Sequence, residues 1–110
     1  MGAAENAVQK ACLDFLRLSK VFAWRSNNTA VYDSTRGCYR SHAGIKGLPD
    51  ICGLLPNAAL FVECKSATGK ISPEQAAFHA QARALGAVVI VARSVDDLRK
   101  GLMEYCQEKP

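Results

Sequence analysis

A chain of 110 residues has room for one domain around one core, and none for a second catalytic module. Its 49% apolar and 22% charged content excludes a disordered tail, and no apolar run is long enough to span a bilayer. Fourteen Lys and Arg against ten Asp and Glu leave a net charge of +4, which suits a polyanionic partner without requiring one.

The opening Met1-Gly2-Ala3-Ala4-Glu5-Asn6 has neither the basic start nor the apolar stretch of a secretion signal, so a cytoplasmic location is expected. The five cysteines (Cys12, Cys38, Cys52, Cys64 and Cys106) agree with that. They form no CxxC pair, their number is odd, and four sit among apolar neighbours, which reads as buried reduced thiols. Cys38 and His42 have half of a zinc-site spacing, and no second pair completes it.

In chain order, residues 3–18 read as an amphipathic helix. Ala4, Val8, Cys12 and Phe15 or Leu16 recur at helical spacing, with Asn6, Lys10, Asp14 and Arg17 opposite. Glu5 stands at the edge of the apolar stripe, where a first-turn carboxylate also suits the helix dipole. Val21 to Arg25 reads as a short strand. Residues 26–47 lose periodicity and become rich in Ser, Asn, Arg, Gly and Tyr, as in a long loop or ragged hairpin. Two apolar strands follow, residues 50–55 and 59–65, joined by the turn-prone Pro56-Asn57-Ala58.

Ser72-Pro73-Glu74-Gln75 then opens a helix, with Ser as N-cap, Pro at the first helical position and Gln as the capping-box partner. This helix should end at Leu85 with Gly86 beyond it, and Ala76, Ala77, Ala80 and Ala84 should let it lie close on a sheet. Ala87 to Ala92 reads as a buried strand. Ser94 and Asp97 cap a last helix whose Val95, Leu98, Leu102 and Cys106 should face inward. The strands flanking the Ser72 helix form a βαβ unit and should be parallel. The expected fold class is α/β, a mixed sheet flanked by helices in the order α-β-β-β-α-β-α, with an irregular segment after the first strand.

Folding residues 50–65 about their turn brings Asp50 alongside residues 63–65, give or take a register step. Glu63 and Lys65 are two apart and share a face. Three ionisable groups therefore meet at one end of an apolar hairpin. They read either as a solvated sheet end or as a site for a hard cation and a phosphate. Two close carboxylates repel unless a cation lies between them, and Mg²⁺ takes one or two carboxylates with water and phosphate oxygens completing its shell. A lysine beside them can orient water or neutralise developing charge.

Pro49-Asp50 followed by Glu63-Cys64-Lys65 matches the PD-(D/E)xK nuclease pattern. With Gly47-Leu48-Pro49-Asp50-Ile51, Phe61-Val62-Glu63-Cys64-Lys65 and Ile71-Ser72-Pro73-Glu74-Gln75, the chain resembles the VRR-NUC domain over nearly its whole length. The resemblance implies a restriction-endonuclease-like core in a single domain, residues 1–110, of the stand-alone bacterial or phage type. It implies metal binding by Asp50, Glu63 and the Cys64 backbone carbonyl, with Mg²⁺ as cofactor and Mn²⁺ as substitute. Glu5 would reach the metal through water or at a second position. Lys65 would serve the attacking water, and Gln75 would orient Lys65 or the scissile phosphate. The same likeness implies a homodimer that cuts four-way (Holliday) junctions, as in DNA repair.

Arg36, Tyr39, Arg40, Lys46 and Lys70 are the expected DNA contacts: four cations for phosphates and one ring to stack on an unpaired base. Nothing in the chain looks like a base-reading helix, so shape rather than sequence should select the substrate. Two alternatives are a nuclease directed at flaps or nicks and a catalytically silent DNA-junction-binding module. A redox or metabolic βα domain is disfavoured, since there is no CxxC and no glycine-rich phosphate loop.

Overall fold

The computed structural model describes residues 2–26, 31–40 and 45–108, the side chains of 31–33, 38–40 and 107–108 excepted. The elements are α1 (Ala3–Leu18), β1 (Phe22–Arg25), β2 (Val31–Asp33), β3 (Cys38–Arg40), β4 (Ile51–Leu55), β5 (Ala58–Cys64), α2 (Pro73–Ala84), β6 (Val88–Ala92) and α3 (Val95–Glu108). A four-stranded sheet runs in the order β1-β4-β5-β6, and β2 and β3 form a separate hairpin. β4 runs antiparallel to both of its neighbours, β1 and β5, whereas β5 and β6 are parallel, as the intervening helix requires. The sheet is mixed, with helices packed on it, as the patterning predicts. Among the described residues, no helix is long and apolar enough to cross a membrane.

One sheet face carries the core. Ala23, Ile51, Leu60, Val62, Cys64, Ile90 and Ala92 meet Cys12, Leu13 and Leu16 of α1 and Leu98 of α3 there. Every second residue of a strand points the other way, so Ala59, Phe61 and Glu63 of β5 look toward the opposite face. Helix α2 lies on that face, and Phe78 meets Phe61 edge-on at 5.1 Å between ring centroids.

Several expectations need correction. The α2 alanines 76, 77, 80 and 84 are exposed, and the helix packs through Phe78, His79 and Ala82 instead. The alanine count fitted a close-lying face, but the two aromatic rings lie on the other side of the helix. Ala4 is likewise exposed, and the polar Gln9, outside the expected apolar stripe, is buried in α1. Cys106 is exposed near the end of α3, and Cys52 is only half-buried, so the buried thiols among the described side chains are Cys12 and Cys64. Cys38 lies in β3, and His42 lies outside the described residues.

The first strand begins at Phe22, because the Val21 N–H closes the end of α1 on the Leu16 carbonyl at 2.9 Å. Part of the irregular 26–47 stretch is the β2–β3 hairpin. The β4–β5 turn holds two residues, Pro56 and Asn57, because Leu55 pairs with Ala58. Helix α2 ends with Leu85 as C-cap and Gly86 at φ +91°, a left-handed position that glycine occupies without penalty.

Candidate active site

The β4–β5 register settles where Asp50 falls. Ile51 pairs with Val62, so Asp50, one residue earlier, stands level with Glu63. Asp50 is held at both ends. Its carbonyl accepts the Ser26 N–H at 2.9 Å, and its Oδ2 accepts the Cys64 N–H at 2.9 Å. The Ser26 hydroxyl also donates to the Pro49 carbonyl. Two strands therefore fix the backbone and side chain of one aspartate.

Glu63 is buried at 1% exposure, unusual for a carboxylate in a domain this small. Its Oε2 accepts a hydrogen bond from Gln75 Nε2 at 3.2 Å, while Oε1 has no hydrogen-bond partner. Burial pushes its pKa up to about 8; the Asp50 carboxylate and, more weakly, Glu5 add to this, while Lys65 opposes it. The charges of Asp50, Lys65 and Glu5 thus all reach Glu63. The half-buried Glu5 enters from the first turn of α1, and Lys65 follows β5, its N–H bonded to the Ala92 carbonyl at 3.0 Å.

Gln75 divides its amide between two tasks. Its Oε1 accepts the Ser72 N–H at 2.9 Å and its own N–H donates to Ser72 Oγ at 3.1 Å, completing the capping box that starts α2. With the oxygen so engaged, the NH₂ end points at Glu63. The Ser-x-x-Gln pattern is therefore both a helix start and a clamp on the buried carboxylate.

Gly47 joins this helix start to the Pro49-Asp50 segment. Its φ is +79°, and a Cβ there would overlap the Glu74 carbonyl and lie 2.8 Å from the Gln75 nitrogen. Only glycine lets the chain entering Asp50 pass so close to the first turn of α2.

The structure thus brings Asp50, Glu63, Lys65, Gln75 and Glu5 to one end of the hairpin. Of the expected DNA contacts, Arg36 is exposed in the β2–β3 turn, Lys46 is exposed ahead of Asp50, and Lys70 is exposed ahead of α2. Tyr39 and Arg40 lie in β3, and their side chains fall outside the described residues.

Two residues outside the expected set join the site. His79, one turn beyond Gln75, is buried at 4% exposure with Nε2 3.6 Å from Glu63 Oε1. Arg93 donates to the carbonyls of Ser66 and Gly69, at 2.6 and 2.8 Å, and so holds the turn that follows Lys65. Helical spacing put His79 on the Gln75 face, but not its burial. For Arg93 the signal lay in the parallel pairing of β5 and β6, which sets their C-terminal ends side by side.

The donors suit a small hard cation. Among the described residues there is no cluster of three or more His, Cys, Asp or Glu side chains built to hold a metal. Asp50 and Glu63 instead offer two carboxylates, one with a buried oxygen that lacks a partner. That is the donor set for an ion that completes its shell with water and substrate oxygens. The Cys64 thiol takes no part. It points into the core against Cys12, and that hydrogen bond together with burial pushes its pKa upward. A separate cavity of about 630 Å³, lined by Asn57, Ala58, Phe61, Phe78 and Leu85 among others, covers the turn end of the hairpin and includes neither carboxylate.

This sheet, with an Asp at a strand entry and Glu-x-Lys leaving its neighbour, is the PD-(D/E)xK type of nuclease fold. A solved structure described as a VRR_NUC domain matches it with a TM-score of 0.65 and 26% sequence identity, covering 94% of this chain and 99% of that one. No family model and no curated protein matches the sequence. On the structural match, the chain has the fold of a VRR-NUC domain, a nuclease domain.

Proposed function

We propose that the protein is a metal-dependent endodeoxyribonuclease that selects branched DNA by shape, with four-way junctions as its target. The observation that carries this reading is the Asp50–Glu63 pair, set level across a hairpin, with one carboxylate buried and only partly hydrogen-bonded. Asp50, Glu63 and the Cys64 carbonyl would hold Mg²⁺, with Mn²⁺ as a substitute and Glu5 contributing through water. When bound, the ion supplies charge neutralisation at the phosphate and lowers the pKa of an attacking water.

The chain's own groups do the rest. The Lys65 ammonium orients the water that attacks phosphorus in line as the opposite P–O bond breaks, and it offsets the charge that gathers on the phosphoryl oxygens. Gln75 keeps the Glu63 carboxylate in one orientation. Exposed Arg36, Lys46 and Lys70 bind backbone phosphates together with Arg40, and Tyr39 stacks on an unpaired base. Such contacts position a duplex without reading bases, which suits a structure-selective enzyme acting in the cytoplasm.

A junction needs two related cuts, and one domain of this size carries one site, so we infer a homodimer. The test is cleavage of junction, flap, nicked and linear DNA, with and without Mg²⁺, by the natural protein and by Asp50→Ala. Mg²⁺-dependent junction cutting that Asp50→Ala abolishes supports the proposal. Preferential cutting of flaps or nicks would move the substrate, and an uncompromised Asp50→Ala would remove the catalytic assignment.

A further inference from the structure

His79 and Glu63 pose a matched problem. His79 Nε2 and Glu63 Oε1 are both buried side-chain atoms without a hydrogen-bond partner, and they face one another at 3.6 Å. Each orphaned polar atom is costly in the interior. A shift of about half an ångström, within ordinary side-chain motion, turns this approach into a hydrogen bond. At 4% exposure the ring is out of water, where the neutral imidazole, with one N–H to place, is the favoured form.

The geometry points to a second orienting group for the carboxylate: we propose that His79 is a positioning residue whose Nε2–H donates to Glu63 Oε1. Gln75 and His79 lie one helical turn apart on α2 and address the two oxygens of Glu63 separately, Gln75 to Oε2 and His79 to Oε1. A carboxylate oxygen has two lone pairs, so each keeps one for a cation. The two donors fix the plane of the carboxylate, and the free energy of ordering it is spent during folding rather than at cation binding. Groups in this position behind a metal ligand commonly change affinity ten- to a hundredfold. The inference rests on the reading of Glu63 as a cation ligand given above.

The experiment is calorimetric titration with Mn²⁺ of the natural protein, His79→Leu and His79→Gln, each checked by its thermal unfolding midpoint. His79→Leu fills the site without a donor, while His79→Gln returns an N–H near the Nε2 position. The expected result is about a tenfold or greater loss of Mn²⁺ affinity in His79→Leu, recovered to within a few-fold in His79→Gln. Equal affinity in His79→Leu, or equal losses in both variants, overturns the proposal.

A second measurement needs no metal. Nitrogen chemical shifts of His79 at pH 9, above the Glu63 titration, should report the Nε2-protonated tautomer, and an Nδ1-protonated ring overturns the pairing. Should the natural protein bind no Mn²⁺ while the tautomer is as expected, the cation reading of Glu63 fails and the hydrogen bond stands.

Discussion

A carboxylate at 1% exposure with one oxygen unbonded costs free energy that an apolar side chain at the same place would not. Glu63 meets that cost in the free protein by holding its proton to about pH 8. The native state therefore binds more protons than the unfolded chain between the ordinary carboxylate pKa, 4.5, and about 8. The contribution of Glu63 to stability is whole below pH 4.5 and is lost as the pH rises through 8. Urea unfolding from pH 5 to pH 9 should show this decline, and Glu63→Gln should flatten it. Gln75→Glu makes a second test at this scale. A glutamate can still complete the capping box, but it sets an acceptor against Glu63. Cleavage should fall while the thermal midpoint moves little. Lys65→Met should lower turnover about 10²- to 10³-fold with little change in DNA affinity, since it removes charge stabilisation rather than a groove contact.

At the scale of elements, the site is assembled from a hairpin, a helix start and one glycine. Gly47→Ala should destabilise the fold by about 1–3 kcal/mol, because it adds a strained φ to a clash with the first turn of α2. Chemical denaturation measures that directly, and cleavage should fall with it as Gln75 is displaced. Lys20 sits at φ 62° just beyond α1, where glycine is normally found. Lys20→Gly should therefore raise stability by about 1 kcal/mol. Much of this was legible in the sequence. Ser72-Pro73-Glu74-Gln75 announced a capped helix, and period-two spacing set Glu63 and Lys65 on one face. The less legible parts depend on contacts between distant segments. Exposed alanines and a buried histidine on α2 follow from where Phe61 stands on β5, and no local pattern encodes that. Gly47 closes the irregular 26–47 stretch, and nothing local in the sequence shows that the first turn of α2 will lie against it.

At the scale of the whole molecule, α2 covers only part of its sheet face. Phe22, Trp24 and Leu54, on β1 and β4, remain 70%, 40% and 53% exposed on the same side. The homodimer proposed above would cover this apolar surface. The natural protein should show about twice the monomer mass of 11.9 kDa in solution, and Phe22→Ser should shift it toward the monomer. The shared amide of Gln75 carries a consequence of another kind. One side chain both starts α2 and restrains Glu63, so the helix cannot fray at its first turn without releasing the carboxylate. Local opening there and loss of the site are one event. Saturating Mn²⁺ should then slow hydrogen exchange at the Gln75 and Ala76 amides far more than at the amides of α3, which makes the beginning of α2 a gauge of site occupancy that can be read without any DNA.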